Sequence, residues 1–293
     1  MNKAEQRSII AIPIILLVAA GIAFAGSQGG VSVAGIPLFA ICVALAFIIQ
    51  WIAFVPAYIQ QTEKFFDLTG SITFITVVVT AVCLSPTVDA RSWLLLALVS
   101  AWALRLGSFL FMRIRSAGED RRFREIKPSF ARFLLTWTLQ GLWVTLSLAA
   151  ALAAITSATR LPLGAFALFG FLVWLLGFGI EVIADRQKSV FRVAPENAGK
   201  FVNVGLWSWS RHPNYFGEIV LWIGVAIIAL PILQGWGWLT LISPLFIILL
   251  LTRISGVPML ETRADEKWGG QDDYEAYKAR TSILIPRPPS VHK

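Results

Sequence analysis

The sequence predicts an all-α fold, a polytopic transmembrane bundle of about eight helices, and three observations support this. Of the 293 residues, 57% are hydrophobic and only 14% are charged, whereas soluble globular domains carry about 25% charged residues. Eight apolar stretches approach or exceed the ~20 residues that a helix needs to cross a bilayer. Lys and Arg are distributed as the positive-inside rule requires. No strand-like alternation of apolar and polar residues competes with this interpretation.

The predicted spans follow one another along the whole chain. They are placed at Ser8–Ala25, Val33–Ala57, Ser71–Ser85, Trp93–Met112, Phe133–Thr156, Leu163–Ile183, Phe216–Leu233 and Trp238–Leu251. The third and the eighth are the shortest, so seven spans remain the alternative. Because no repeat, long linker or low-complexity segment interrupts the chain, we expect one membrane-embedded domain over residues 1–293.

Basic residues orient the predicted bundle. With eight spans and a cytoplasmic N-terminus, 22 of the 25 Lys and Arg residues fall in cytoplasmic segments, two in outside loops and one, Arg105, within a span. This asymmetry predicts that both termini are cytoplasmic, because seven spans would move a basic terminal segment to the wrong side. The net charge of +8 therefore indicates orientation and contact with anionic membrane lipids, not binding of nucleic acid.

The first polar stretch on the predicted cytoplasmic face is RIRSAGEDRRFREIKPSFAR, residues 113–132. An ordinary basic loop held at anionic headgroups would explain it. However, Arg105 lies eight residues before it inside the fourth span, where a charge is costly unless it meets a partner or a water-filled cavity. Arg105, Arg113 and Arg115 are therefore candidates that face a polar pocket.

The second stretch is GFGIEVIADRQKSVFR, residues 177–192. Glu181 and Asp185 are four residues apart on one helical face, where like charges repel. We expect no metal site, because no His or Cys stands nearby to complete one. Hydrogen bonding to ribose hydroxyls or amides, with Arg192 near a phosphate, fits these residues better. A merely polar helix end remains the alternative.

The third stretch, LWSWSRHPNYFGEIVLWIG, covers residues 206–224 and contains one of the two histidines. Pro213 suits the first turn of a helix, and the free N–H groups at a helix start can bind an anion. A belt of interfacial aromatic residues would not explain the polar side chains within eight positions. These are the side chains of Arg211, His212, Asn214, Tyr215 and Glu218.

The fourth stretch is the tail from Gly256 to Pro289, which contains Glu261 and two tyrosines, Tyr274 and Tyr277. Its mixture of charged and aromatic residues predicts a short amphipathic helix that packs back onto the cytoplasmic mouth of the bundle. A solvated tail is the alternative.

Together these motifs resemble the steroid 5-alpha-reductase-like membrane enzymes, and in particular their bacterial branch. The likeness is carried by GLW at 205–207, SRHPNYFGE at 210–218 and WIG at 222–224, with Asp185…Arg192 upstream and Tyr277…LIP at 284–286 downstream. It covers about residues 100–287. The resemblance implies a helical bundle in a bacterial inner membrane, with a cytosol-facing cavity for NADPH that opens sideways to a lipid-soluble enone.

The resemblance also implies which residues contact the cofactor. They are Arg105, Arg113, Arg115, Glu181, Asp185, Arg192, Asn214, Tyr215, Glu218 and Glu261, to which we add Arg211 and His212 from the same motif. No strand–Gly-x-Gly-x-x-Gly–helix unit exists in the chain, so a Rossmann domain is excluded. An arginine-rich pocket favours NADPH over NADH, because it suits the additional 2′-phosphate.

The implied reaction is reduction of the C=C bond of an α,β-unsaturated ketone in a steroid-like substrate (3-oxo-Δ4-steroid 5α-reduction). The carbonyl oxygen then needs a hydrogen-bond donor and the α-carbon a proton. The animal enzymes use a tyrosine and a glutamate at the carbonyl, and Trp102 stands where that tyrosine is expected. We expect Asp67 and Glu63 as the carbonyl-side groups, kept protonated by burial, with Tyr58 as a reserve donor.

A membrane methyltransferase of the isoprenylcysteine or phospholipid type is the second interpretation. Such enzymes share an Arg-His-Pro-x-Tyr-x-Gly core and a later Glu, and they use S-adenosylmethionine; the Asp185…Arg192 block and Asn214 favour the reductase. A transporter would need paired broken helices at the bilayer midplane, and the sequence shows none. We expect a monomer that contacts membrane lipids and a lipophilic enone.

Overall fold

The computed structural model describes residues 3–117, 119–120 and 123–288, without the side chains of residues 113, 116 and 117. Helices dominate this part of the chain. They are α1 Lys3–Gly26, α2 Leu38–Ile59, α3 Phe66–Leu84, α4 Ala90–Ala117, α5 Phe130–Thr156, α6 Ala165–Val193, α7 Pro213–Ala229, α8 Ile242–Leu249, α9 Val257–Trp268 and α10 Asp272–Arg280. A five-residue π-helix, Leu250–Ile254, continues α8.

Within the described residues, eight helical segments are long and apolar enough to cross a membrane. They are α1 to α7 and the region Gly235–Trp268, so the predicted polytopic bundle is confirmed and the chain is an integral membrane protein. Several predicted boundaries were too narrow, because hydropathy marks only the apolar part of a helix. The helix α6, for example, runs ten residues past Ile183. It stops where Ala194 becomes extended before Pro195, as the residue before a proline disfavours the helical conformation.

A small β-hairpin replaces the predicted start of the second span. Strand β1, Ser32–Val33, pairs antiparallel with β2, Ile36–Pro37. The two residues between them, Ala34 and Gly35, both have positive φ angles, of 50° and 80°. This is the backbone that a tight two-residue hairpin turn requires, and it delays the start of α2 until Leu38.

The chain folds into two compact units, and the first comprises Met1–Ala167 and Ile228–Ser243. Its central helix is α5, which contacts α1, α2 and α3. Every residue of α5 from Val144 to Thr156 is buried. Most of them are small, which lets neighbouring helices approach closely where lipid offers no hydrophobic driving force.

The pair α3 and α4 shows the same use of small residues. A Cβ atom placed on Gly107 of α4 would lie 2.6 Å from the Cβ of Ser71 in α3, so only glycine fits there. This contact fixes α4 against the helix whose first turn contains Asp67.

The second unit comprises Leu168–Ile227 and Pro244–Lys293. In it, α6 and α7 approach backbone to backbone at two points seven residues apart on each helix. A Cβ on Gly217 would lie 2.6 Å from the carbonyl oxygen of Gly177, and one on Gly224 would lie 2.6 Å from that of Gly170. This approach places the polar ends of the two helices side by side.

The helical path is interrupted after α8. The π-helix ends at Ile254, and a Cβ on Gly256 would lie 2.3 Å from the carbonyl oxygen of Leu251, so the turn needs a glycine. Helices α9 and α10 follow, instead of the one amphipathic helix that the sequence predicted. That residues 1–293 act as a single membrane-embedded reductase domain stays a prediction.

Candidate functional site

The close approach of α6 and α7 brings three of the predicted residues together. Nδ2 of Asn214 donates a hydrogen bond of 3.1 Å to Oδ1 of Asp185. Glu181, one turn before Asp185, is buried, and a Cβ on Gly217 would lie 2.7 Å from its backbone nitrogen. Oδ1 of Asn214 is buried and has no hydrogen-bond partner among the described residues. This amide oxygen can therefore accept a hydrogen bond from a ligand.

A second cluster joins the start of α7 to α9. The Glu261 carboxylate lies between two predicted residues, with Oε2 2.8 Å from Nη1 of Arg211 and Oε1 2.7 Å from Nε2 of His212. The imidazole of His212 also stacks on the ring of Tyr215, with centroids 5.7 Å apart. Nδ1 of His212 is buried, and no described residue bonds to it.

The backbone around this cluster is held by the C-terminal segment. The amide of Arg211 donates to the carbonyl oxygen of Ser282 at 2.8 Å, and Oγ of Ser210 donates to that of Leu284 at 2.8 Å. Oγ of Ser210 in turn accepts a hydrogen bond from the amide of His212 at 3.1 Å. The tail thus packs back onto the motif, as the sequence predicts, and fixes the side chains that begin α7.

Beside this cluster lies a cavity of about 350 Å³ within the second unit. Its lining combines six basic side chains with aromatic rings and a single carboxylate, that of Glu261. The basic residues are Lys188, Arg192, Lys200, Arg211, Arg263 and Lys267, and the rings are those of Phe191, Phe201, Trp207, Trp268, Tyr274 and Tyr277. Such a cavity suits an anionic ligand with a flat ring.

Aromatic packing makes one wall of the cavity rigid. Phe201, Tyr274 and Tyr277 form a buried cluster against which Trp268 packs. The hydroxyl of Tyr277 donates to the carbonyl oxygen of Trp207 at 2.6 Å. Burial raises the pKa of the Tyr277 phenol well above its usual range, so it stays a hydrogen-bond donor at physiological pH.

Sequence reasoning found Arg192, Arg211, His212 and Glu261 but missed the other basic residues of the cavity. A signal for three of the four was present, because Lys188 precedes Arg192 by four residues and Lys267 follows Arg263 by four. Residues at this spacing share one face of a helix. Glu218 of α7 is half-buried and does not line the cavity.

The predicted carbonyl-side residues belong to the first unit. Glu63 is buried, and its carboxylate accepts hydrogen bonds from Nζ of Lys127 at 2.5 Å and from the amide of Asp120 at 2.8 Å. Asp67 is half-buried in the first turn of α3, whose N-cap is Phe65, so Asp67 is not the capping residue. The Glu63 carboxylate therefore holds the loop that contains Asp120 and Lys127.

Aromatic residues surround the other first-unit candidates. Tyr58 stacks on Phe54, with ring centroids 5.6 Å apart, and meets Phe130 edge-on at 5.2 Å. Trp102 is buried and packs edge-on against Phe74 at 5.0 Å. Phe74 follows Asp67 by seven residues on α3, a rise of about 10 Å. Trp102 therefore contacts α3 at a residue about two turns beyond Asp67.

The arginines of α4 have different surroundings. Cζ of Arg105 lies 5.4 Å from the centroid of the Phe109 ring, one turn further along the same helix. Arg115 is exposed near the end of α4. The side chain of Arg113 lies outside the described part of the chain. The three residues stay predictions as cofactor ligands.

Comparison with known proteins agrees with the resemblance. The model of a family described as "Protein of unknown function (DUF1295)" matches residues 53–281. The chain is 31% identical over 120 residues to 3-oxo-5-alpha-steroid 4-dehydrogenase 1 of Rattus norvegicus, covering 41% of this chain and 40% of the relative. It is 31% identical over 121 residues to the Bos taurus protein of the same name, covering 41% of each chain.

The match therefore spans about two fifths of the length of these relatives. No solved structure matches the chain. The resemblance to steroid 5-alpha-reductase-like enzymes that the sequence predicts is confirmed.

Proposed function

This chain belongs to the DUF1295 family, and on that premise we propose that it is a membrane-embedded oxidoreductase. The proposed reaction is the NADPH-dependent reduction of the C=C bond of an α,β-unsaturated ketone in a lipophilic, steroid-like substrate. Support comes from the relatives, which are named as 3-oxo-5-alpha-steroid 4-dehydrogenases. Because the match covers only part of each relative, the activity and the substrate are inferences for this chain.

The observation that carries the proposal is the cavity of the second unit. Its six basic side chains offer several charge-assisted contacts to phosphate groups. Its volume of about 350 Å³ lies within the range of small-molecule sites, and its aromatic walls suit a nucleobase. His212 also lines the cavity, and its buried Nδ1 has no partner among the described residues. Asn214, Asp185 and Glu181 lie outside the lining. The lining residues fit an NADPH-like ligand.

In this proposal each group of residues has a distinct task. Arg192, Arg211 and the neighbouring lysines bind the phosphates, including a 2′-phosphate. Glu181 and Asp185 accept hydrogen bonds from ribose hydroxyls, and Asn214 is held in place by Asp185. Bound NADPH would supply a hydride. Tyr215 and Glu218 are proposed to support these contacts from the first two turns of α7.

The substrate carbonyl is assigned to residues of the first unit. Negative charge develops on its oxygen during reduction, so a nearby donor lowers the barrier. Asp67 is our first choice as this donor, because it lies half-buried in the first turn of α3. The Glu63 carboxylate is the second choice, since it forms an ion pair with Lys127. Tyr58 is the reserve, and Arg105, Arg113 and Arg115 stay proposed as further phosphate ligands.

The proposed location is a bacterial inner membrane with both termini in the cytoplasm. The distribution of Lys and Arg supports this orientation. Reporter fusions after Lys3 and after Lys293 should both give cytoplasmic signals. Opposite signals would rule out an even number of crossings.

A cofactor titration of the purified chain tests the proposal against the methyltransferase alternative. NADPH should raise the melting temperature with increasing concentration, because a ligand that binds only the folded state stabilises it. NADH should do so less, since it lacks the 2′-phosphate. Stabilisation by S-adenosylmethionine and not by NADPH would overturn the reductase and favour the methyltransferase.

A further inference from the structure

A second cavity, of about 650 Å³, lies within the second unit at the far end of α6. Residues of α6 form one side, and the segment that follows α6 forms the other. Its lining residues are Ile183, Arg186, Gln187, Val190, Phe191, Ala194, Glu196, Asn197 and Val204. The proposed cofactor cavity shares only Phe191 with this groove.

The walls of this groove are held by hydrogen bonds. Oε1 of Gln187 accepts the amide hydrogen of Leu206 at 2.9 Å, and Nδ2 of Asn197 donates to the carbonyl oxygen of Phe191 at 3.0 Å. A Cβ on Gly205, whose φ is +59°, would lie 2.5 Å from Gln187. The segment therefore lies against α6 in one defined position, and the groove is part of the folded structure.

The position of the groove matches the edge of a bilayer. Arg186 follows Ala165, the first residue of α6, by 21 residues, which is about 31 Å at ~1.5 Å per residue. The hydrocarbon core of a bilayer is about 30 Å thick. Arg186 thus reaches the depth of lipid headgroups when α6 crosses the membrane.

The groove is both apolar and charged. Ile183, Val190 and Val204 are 51%, 65% and 48% exposed, so the groove has an apolar surface. Ile183 precedes Arg186 on α6 and therefore lies on the hydrocarbon side of it, where an acyl chain can cover it. Arg186 and Glu196 are exposed as well. In the part of the chain that the structure describes, neither makes an ion pair or a side-chain hydrogen bond. The groove therefore presents a positive charge, on Arg186, and a negative charge, on Glu196, that are not paired with each other.

We propose that this groove binds a zwitterionic phospholipid of the phosphatidylethanolamine type. The phosphate lies at the Arg186 guanidinium, the primary ammonium lies at the Glu196 carboxylate, and an acyl chain covers Ile183. A purely anionic headgroup would satisfy Arg186 alone. A choline headgroup has no N–H to donate to Glu196. The intact lipid and its free headgroup both contain phosphoethanolamine. The apolar surface of the groove favours the lipid, because only the lipid has an acyl chain.

Lipid titration of the purified full-length chain, followed by native mass spectrometry, tests this proposal. Phosphatidylethanolamine, phosphatidylglycerol and phosphatidylcholine with identical acyl chains are compared. Wild type should retain phosphatidylethanolamine best. Arg186→Gln should lower that retention about tenfold, as expected for loss of a charge-assisted contact. Glu196→Gln should remove the preference over phosphatidylglycerol while retention of phosphatidylglycerol persists.

Two exposed residues of the same unit provide matched controls, Arg280→Gln and Glu266→Gln, which should behave as wild type. Soluble glycerophosphoethanolamine should not displace the lipid. Displacement by this headgroup would overturn the lipid assignment. Equal retention of the three lipids by wild type, or unchanged retention in both groove variants, would overturn the site itself. The melting temperature of each variant without added lipid verifies that it is folded.

Discussion

His212 and Glu261 are 49 positions apart in the chain, yet Nε2 of His212 lies 2.7 Å from Oε1 of Glu261. The other carboxylate oxygen pairs with Arg211 at 2.8 Å. A single side chain of α9 therefore holds two consecutive residues at the start of α7. This contact closes one side of the proposed cofactor cavity and links its shape to the fold of the tail.

Replacing Glu261 by alanine should destabilise the protein. The side chains of Arg211 and His212 are only 10% and 6% exposed, so loss of their shared partner leaves polar groups with little access to water. Breaking a fully buried pair costs roughly 3–5 kcal/mol, and partial exposure reduces this to about 2 kcal/mol. Thermal unfolding in detergent measures the effect. Glu266→Ala, an exposed change on the same helix, should leave the melting temperature unchanged.

Gly217→Ala should separate α6 from α7. The added methyl group would lie 2.6 Å from the carbonyl oxygen of Gly177, which is backbone and cannot rotate away. Overpacking of this kind costs about 1–3 kcal/mol, and it should also weaken NADPH binding by moving Asn214 from Asp185. Gly179→Ala is the control, because nothing lies within 4 Å of its added Cβ. Equal melting temperatures for the two variants would contradict the predicted close packing.

Features of the fold and of the candidate site could be predicted from the sequence where they depend on a local pattern. Apolar length is a local property, so all eight spans could be identified, and the SRHPNYFGE motif marked the start of α7. The contact between His212 and Glu261 could not be derived, because it depends on a π-helix and a turn at Gly256 that the hydropathy of the eighth span does not reveal. The pairing of Glu63 with Lys127 likewise joins residues 64 positions apart.

Arg192→Gln should weaken NADPH binding and leave the fold intact. Arg192 is exposed at the rim of the cavity, so its loss affects an anionic ligand more than the packing. A lost charge-assisted contact of about 1.5–3 kcal/mol corresponds to a rise in Kd of at least tenfold. Arg280→Gln, on α10 and outside the lining, should bind NADPH as wild type does. Unchanged affinity in Arg192→Gln would remove this residue from the proposed phosphate contacts.

Asp67→Asn should lower turnover without loss of cofactor binding. Loss of a donor at the reacting oxygen costs roughly 100-fold or more in kcat. Asp67 is not the N-cap of α3, so this substitution removes no helix-capping hydrogen bond. Enone-dependent oxidation of NADPH measures turnover. Glu63→Gln is the comparison, and it should lower stability more than turnover. Near-normal turnover in Asp67→Asn would show that Asp67 is not the donor, and Tyr58 would then be the candidate.

Isotope transfer tests the central claim most directly. The purified protein in lipid nanodiscs is incubated with a 3-oxo-Δ4-steroid and with NADPH that carries deuterium at C4 of the nicotinamide. The proposed reductase delivers that deuterium to the β-carbon of the enone, and mass spectrometry of the product should show one added deuterium and one added solvent proton. An unchanged steroid under conditions where the folded protein binds NADPH would contradict steroid enone reduction. A methylated lipid product formed with S-adenosylmethionine would contradict the reductase assignment altogether.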